Sequence, residues 1–166
     1  MARRMRWQSI VRDDRGSSLV EFAIGATLLL IAFFGVIDFS RALYAYHFVS
    51  YAAQEGSRYA MVRGNDWPSV CAAASSYDCQ ASSANIRSYV QGLTPPGISA
   101  SNLTVTPGWP GVNADDGSVH CNTSNTQNSQ GCMVKVTVAY AFNFMLPFLP
   151  KSGLTMTAAS EQAIAY

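Results

Sequence analysis

Apolar residues run almost unbroken from Leu19 to Ile37, and a single charge, Glu21, interrupts them near the start. The uncharged part, Phe22–Ile37, is sixteen residues long. Helical rise carries Ser17 to Ile37 over roughly 31 Å, about the thickness of a bilayer's hydrocarbon. No proline occurs between Met1 and Arg63, so nothing in the backbone stops the helix where the apolar run ends. There the pattern turns amphipathic: Ala45, Val49, Ala52, Gly56 and Tyr59 recur at four-three spacing along one face. Ala52, Gly56 and Ala60 form a ridge of small residues that lets another backbone approach closely. Two partners are open for it, the chain's own folded domain or a neighbouring subunit. Termination is predicted at Gly64-Asn65-Asp66-Trp67-Pro68, with Arg63 favouring the negative end of the helix dipole.

Beyond that break the periods shorten. Pro68 to Cys79 reads as a short helix or loop. Ser82 to Leu93 reads as a second helix: Ser83 is the candidate cap, Ile86, Tyr89, Val90 and Leu93 share a face, and Thr94-Pro95-Pro96-Gly97 ends it. Asn102–Thr106 alternates as a strand would. Met133–Phe142 is the clearest strand, with Val134, Val136, Val138, Tyr140 and Phe142 facing one way and Lys135, Thr137 and Ala139 the other. Leu154–Ile164 is its plausible partner. The connection Asn143–Gly153 holds Pro147 and Pro150 with Phe144, Leu146, Phe148 and Leu149, an apolar loop suited to a core lid or a contact surface. The fold class is therefore α+β: a long N-terminal helix, transmembrane over about 18–38 and amphipathic beyond, then a small domain with a short helix and an antiparallel sheet.

Charge supplies orientation. Residues 1–16 carry Arg3, Arg4, Arg6, Arg12 and Arg15 against Asp13 and Asp14, a net of +3, while the remaining 150 residues carry a net of −2. Basic residues beside one end of a span hold that end in the cytoplasm. Everything beyond Asp38 is then expected outside. Asp38 and Arg41, three apart, can pair at the outer headgroup level, and Tyr44, Tyr46 and Tyr51 suit the interface above it. A nucleic-acid role lacks support, because residues 64–166 offer only Arg87, Lys135 and Lys151.

Four cysteines fall as two close pairs, Cys71/Cys79 and Cys121/Cys132. In an exported domain an even count at short spacing points to disulfides between sequence neighbours, since short loops close easily. Two histidines, His47 and His120, and no Cys-x-x-Cys spacing argue against a metal. The polar segment Pro107–Gly131 is long for a connection in a compact domain and marks function or disorder. Its Asn113-Ala114-Asp115-Asp116-Gly117 fails the calcium-loop pattern and reads as a turn. No serine or cysteine stands beside a base held by a third group, and no glycine-rich phosphate cradle follows a strand, so the chain is expected to be no enzyme and to use no cofactor.

The one costly ionisable group is Glu21. A charge at that depth in a membrane costs roughly 2.5–3.5 kcal/mol on insertion scales, so it needs a partner or a function. Three readings account for the span. A cleaved secretory signal would use Ser40-Arg41-Ala42 as its small-residue site, but its apolar core is long. An uncleaved signal anchor leaves Gly16 and Glu21 without a role. The third takes them together: Arg15-Gly16-Ser17-Ser18-Leu19-Val20-Glu21-Phe22 resembles a prepilin processing site, with a glycine ending a basic leader and a glutamate fifth in the mature chain.

Residues 15–60 as a whole resemble the TadE-like family of minor pseudopilins. The resemblance rests on the Val20-Glu21-Phe22-Ala23 opening, on the acidic-aromatic pair Asp38-Phe39 closing the span, and on Ala52-Ala53-Gln54-Glu55-Gly56-Ser57-Arg58-Tyr59-Ala60. Thr27 stands where the family often carries a proline. The resemblance implies a pilin-like fold and a place in a tight-adherence (Tad/Flp-type) pilus system. A prepilin peptidase would cut between Gly16 and Ser17, with Glu21 and Phe22 serving recognition and assembly. The partners would be other pilins or pseudopilins, the inner-membrane platform and the lipid bilayer. The expected organisation is a leader over 1–16, a long helix over 17–63 and an exported domain over 64–166. The chain would cross the bacterial inner membrane with its C-terminal domain periplasmic, or extracellular once assembled in a pilus. The alternative from a different class is a membrane-anchored extracytoplasmic binding module that forms no filament, with Pro107–Gly131 as its recognition loop.

Overall fold

One helix, α1, spans Asp14–Val62 and is 49 residues long, about 73 Å end to end. In the computed structural model the described residues are 14–65, 67, 80–114, 121, 127–146 and 153–165. The two halves of α1 meet different surroundings. Its apolar first half is bare: Leu19, Phe22, Leu28, Leu29, Phe33 and Phe34 are all exposed. A window of this half is long and apolar enough to cross a membrane. From Asp38 onward the helix lies against the rest of the chain, burying Ala45, Phe48, Val49, Ala52, Ala53, Tyr59 and Ala60.

The layer against it is a three-stranded antiparallel sheet in the order β1 (Leu103–Gly108), β2 (Met133–Phe142), β3 (Leu154–Ala163). The fold is α+β. In β2 the expected alternation holds: Val134, Val136, Val138, Tyr140 and Phe142 are buried, and Lys135 is exposed. Register sets Val105 opposite Val138 and Val138 opposite Ala158. The first strand begins at Leu103 rather than Asn102, because Ala100–Asn102 forms a 3-10 turn, and it runs on through Pro107, which pairs with Val136. Pro107 is tolerated because β1 is an edge strand, where a missing N–H costs no ladder bond.

The second helix, α2, spans Ser83–Gly92 and packs against β1 and α1. Its cap is Ser82, not Ser83: Ser82 is extended and its Oγ accepts the N–H of Asn85 at 3.2 Å. The cap residue must lie outside the helix while its oxygen turns back on the third helical N–H, and Ser83 is already helical. Ile86 and Val90 point into the core, and Tyr89 stacks on Tyr59 with ring centroids 4.5 Å apart.

The sheet's direction along α1 decides what lies where. Ala165 N–H bonds to Met61 O at 2.9 Å, so β3 ends beside the helix's C-terminal end. At the other end of the hairpin Arg41 lies over the Phe142 ring, 5.4 Å from its centroid. The end of β2 and the start of β3 thereby lie toward the bare half of α1.

Candidate functional site

Gly16, Ser17, Glu21 and Phe22 all lie in the exposed first turns of α1. Asp14–Val62 is helical, so the Gly16–Ser17 peptide bond lies within the helix. A Cβ built on Gly16 would meet nothing within 4 Å. Phe22 is 75% exposed. Among the described residues Glu21 has no ion-pair partner, and it stands in the apolar face of a span. Ser17 and Glu21 are four residues apart, hence neighbours on one face about 6 Å apart along the axis.

Directly past the other end of the span sits the second polar feature. Asp38 is only 4% exposed, and its two carboxylate oxygens have different partners. Arg41 Nη1 donates to Oδ1 at 2.7 Å, and the backbone N–H of Met145 donates to Oδ2 at 3.0 Å. The first contact follows from i,i+3 spacing. The second ties the β2–β3 hairpin to the helix, and the sequence reading missed it. The signal that could have found it is chemical: a carboxylate has two acceptor oxygens, and one arginine three residues on occupies only one of them.

Ala52, Gly56 and Ala60 face the chain's own sheet and α2. All three are buried, and a Cβ on Gly56 would lie 2.9 Å from Val90 Cγ2 and 3.0 Å from Val136 Cγ1. Beside the ridge, Ser57 is fully buried and shares a 2.8 Å hydrogen bond with Ser160 of β3, a contact without a signature in the sequence pattern.

Cys121 and Cys132 are bonded, with Cα atoms 5.7 Å apart. Cys71 and Cys79, Asp115 to His120, and Phe148 and Leu149 of the apolar loop lie outside the described residues. The polar segment is organised where it is described. Asn113 bridges to Cys132, and Asn128 accepts from Trp109 Nε1 at 3.2 Å while its carbonyl accepts the N–H of Asn65 at 2.8 Å. The end of α1 is in this way tied to the segment before β2. Among the described residues no group of three His, Cys, Asp or Glu side chains could hold a metal ion. A cavity of about 390 Å³ lies beside Arg41, lined also by Tyr44, Asn102, Tyr140 and Asn143. It brings no nucleophile and base together.

The stretch that carries the processing-site pattern, the span and the small-residue ridge is one continuous helix, and comparison with known families falls on the same stretch. Residues 16–58 match the sequence model of the family described as TadE-like protein. Over that stretch the chain is similar to TadE-like proteins. The match begins at Gly16 and ends two residues past Gly56, so it takes in Glu21, the span, the Asp38–Arg41 pair and most of the ridge. No curated protein and no solved structure matches the chain.

Proposed function

We propose that this TadE-like chain is a minor pseudopilin, an assembly subunit of a Tad pilus without catalytic activity of its own. The carrying observation is Glu21, an exposed carboxylate without an ion-pair partner among the described residues, set in the bare apolar half of α1. Cleavage between Gly16 and Ser17 by a prepilin peptidase on the cytoplasmic side supplies what Glu21 lacks. It frees the Ser17 amine, a cation one turn away on the same face. In a low-dielectric membrane that pairing offsets the desolvation of both groups, within one chain or between adjacent subunits. Other pilins, the peptidase and the inner-membrane platform are then the partners, and the domain beyond Asp38 stands on the periplasmic side.

The rest of α1 supports this over a secretory signal. Cutting after Ala42 would detach Asp38 from the hairpin it holds through Met145 and remove Arg41 from Phe142. A cut after Gly16 removes only the leader and leaves every contact of the packed half in place.

N-terminal sequencing of the chain purified from membranes tests the proposal. A start at Ser17 supports it. A start at Met1 defeats it in favour of a plain membrane-anchored module, and a start at Leu43 defeats it in favour of a secreted domain.

A further inference from the structure

The residues that follow β2 lie beside the last turn of the bare span, where their side chains sort by direction. Phe144 turns inward, packing on the core and edge-on to Phe142 with centroids 5.3 Å apart. Met145 turns outward and is 75% exposed, an unusual state for a large apolar residue whose own N–H is fixed by a buried carboxylate. Met145 and Leu146 then form, with Phe34, Ile37 and Asp38, a groove of about 350 Å³. Apart from Asp38 every lining residue is apolar, and both Asp38 oxygens are already occupied by Arg41 and Met145. No free polar group is left in the groove. Lipid chains require only apolar surface.

We infer that the segment following β2, through Met145 and Leu146, is a bilayer contact that seats the folded domain on the membrane in the leaflet from which α1 emerges. Depth supports the assignment. Ser17 to Ile37 covers about one hydrocarbon thickness, so the Asp38–Arg41 pair stands at its boundary. Met145, hydrogen-bonded to Asp38, stands at that same level. The groove continues the lipid-facing surface of Phe34 and Ile37 without a break. Tyr44 and Tyr46, both about half exposed, follow within two turns, in the zone where amphipathic rings gather. Two attachments, the span and this segment, fix the tilt of the domain against the membrane where the span alone would leave it free to swing.

The inference rests on α1 spanning the bilayer, and the test separates the two. Full-length Met145→Trp and Phe33→Trp proteins are reconstituted at high lipid excess into phosphatidylcholine/phosphatidylglycerol vesicles, with or without bromine on the acyl chains. Emission is read as the difference from the parent protein. The expected result is a blue-shifted Trp at 145 that loses most of its emission to bromine near the headgroup end of the chains. At position 33 quenching is expected to be strongest for bromine deeper in the chains. Quenching at 33 with water-like, unquenched emission at 145 overturns the inference and leaves the span intact. Blue-shifted but bromine-insensitive emission at 145 also overturns it, placing a protein, a second copy included, in the groove. Absence of quenching at 33 removes the span and the inference with it.

Discussion

Gly56 of α1 and Val136 of β2 lie so close that a Cβ on the glycine would sit 3.0 Å from Val136 Cγ1. Helix and sheet meet here at backbone distance, with Val90 closing the third side. Glycine in a helix interior costs about 1 kcal/mol relative to alanine, and the close approach is what that cost maintains. Gly56→Ala therefore sets a propensity gain against two stiff, β-branched neighbours and is expected to change stability little. Gly56→Leu has no room and is expected to cost at least the ~1–3 kcal/mol of an overpacked core. Urea unfolding of the two variants in detergent checks the contrast; equal midpoints would remove the close-packing account.

Asp38 holds the hairpin by a charge-assisted hydrogen bond. Asp38→Ala removes the acceptor of Met145 and the partner of Arg41 together, an expected loss of about 2–3 kcal/mol. Arg41, whose side chain is 41% exposed, can return to water in that variant, whereas Arg41→Ala leaves the buried Asp38 carboxylate without its cation and is expected to cost about 3 kcal/mol. Hydrogen exchange at the Met145 amide gives the more local reading: faster in Asp38→Ala, little changed in Arg41→Ala.

The Cys121–Cys132 bond closes a loop with a sequence separation of 11. Chain-entropy reasoning puts the stabilisation at about 3 kcal/mol for a loop of that size. Replacing both cysteines by serine is expected to lower stability by about that amount. The end of α1 should loosen as well, because Asn65 is tied to Asn128 within the same segment. Limited proteolysis near residue 65 reports the second effect.

Processing and assembly should come apart at two positions in α1. Gly16→Val is expected to leave the full-length precursor, because the peptidase site no longer has its small residue. Glu21→Val is expected to be cut normally and to fail to enter filaments, because the new amine has no carboxylate to meet. Immunoblots for size and filament preparations for incorporation read the two steps. Normal maturation of Gly16→Val would discredit the site.

Deleting the polar segment asks what the exported domain adds. Removal of residues 115–120 and 122–126, sparing Cys121, is expected to leave filament assembly intact if Glu21 and the span drive it. Loss of surface attachment with retained filaments would assign the segment to adhesion, whereas loss of filaments would assign it to assembly.

Much of this architecture is local and therefore readable along the chain. Absence of proline up to Arg63 allowed a helix past the span, alternation marked β2, and short spacing paired Cys121 with Cys132. Glu21 announced itself as a charge in an apolar run. The cap was displaced by one residue, Ser82 for Ser83, since adjacent serines have the same chemistry and only backbone angles distinguish them. The ridge at Ala52, Gly56 and Ala60 declared that something packs closely, without naming the partner.

What the sequence by itself determined, then, is where segments are helical or extended, which faces are apolar and where the costly charge lies, because each depends on residues a few positions apart. Tertiary structure alone decided that Val136 meets Gly56, that Ser160 meets Ser57 and that Met145 meets Asp38, across as many as 107 residues. Those contacts depend on strand order, register and the direction of the sheet along α1, which are set by the packing of the whole domain. No local pattern encodes them.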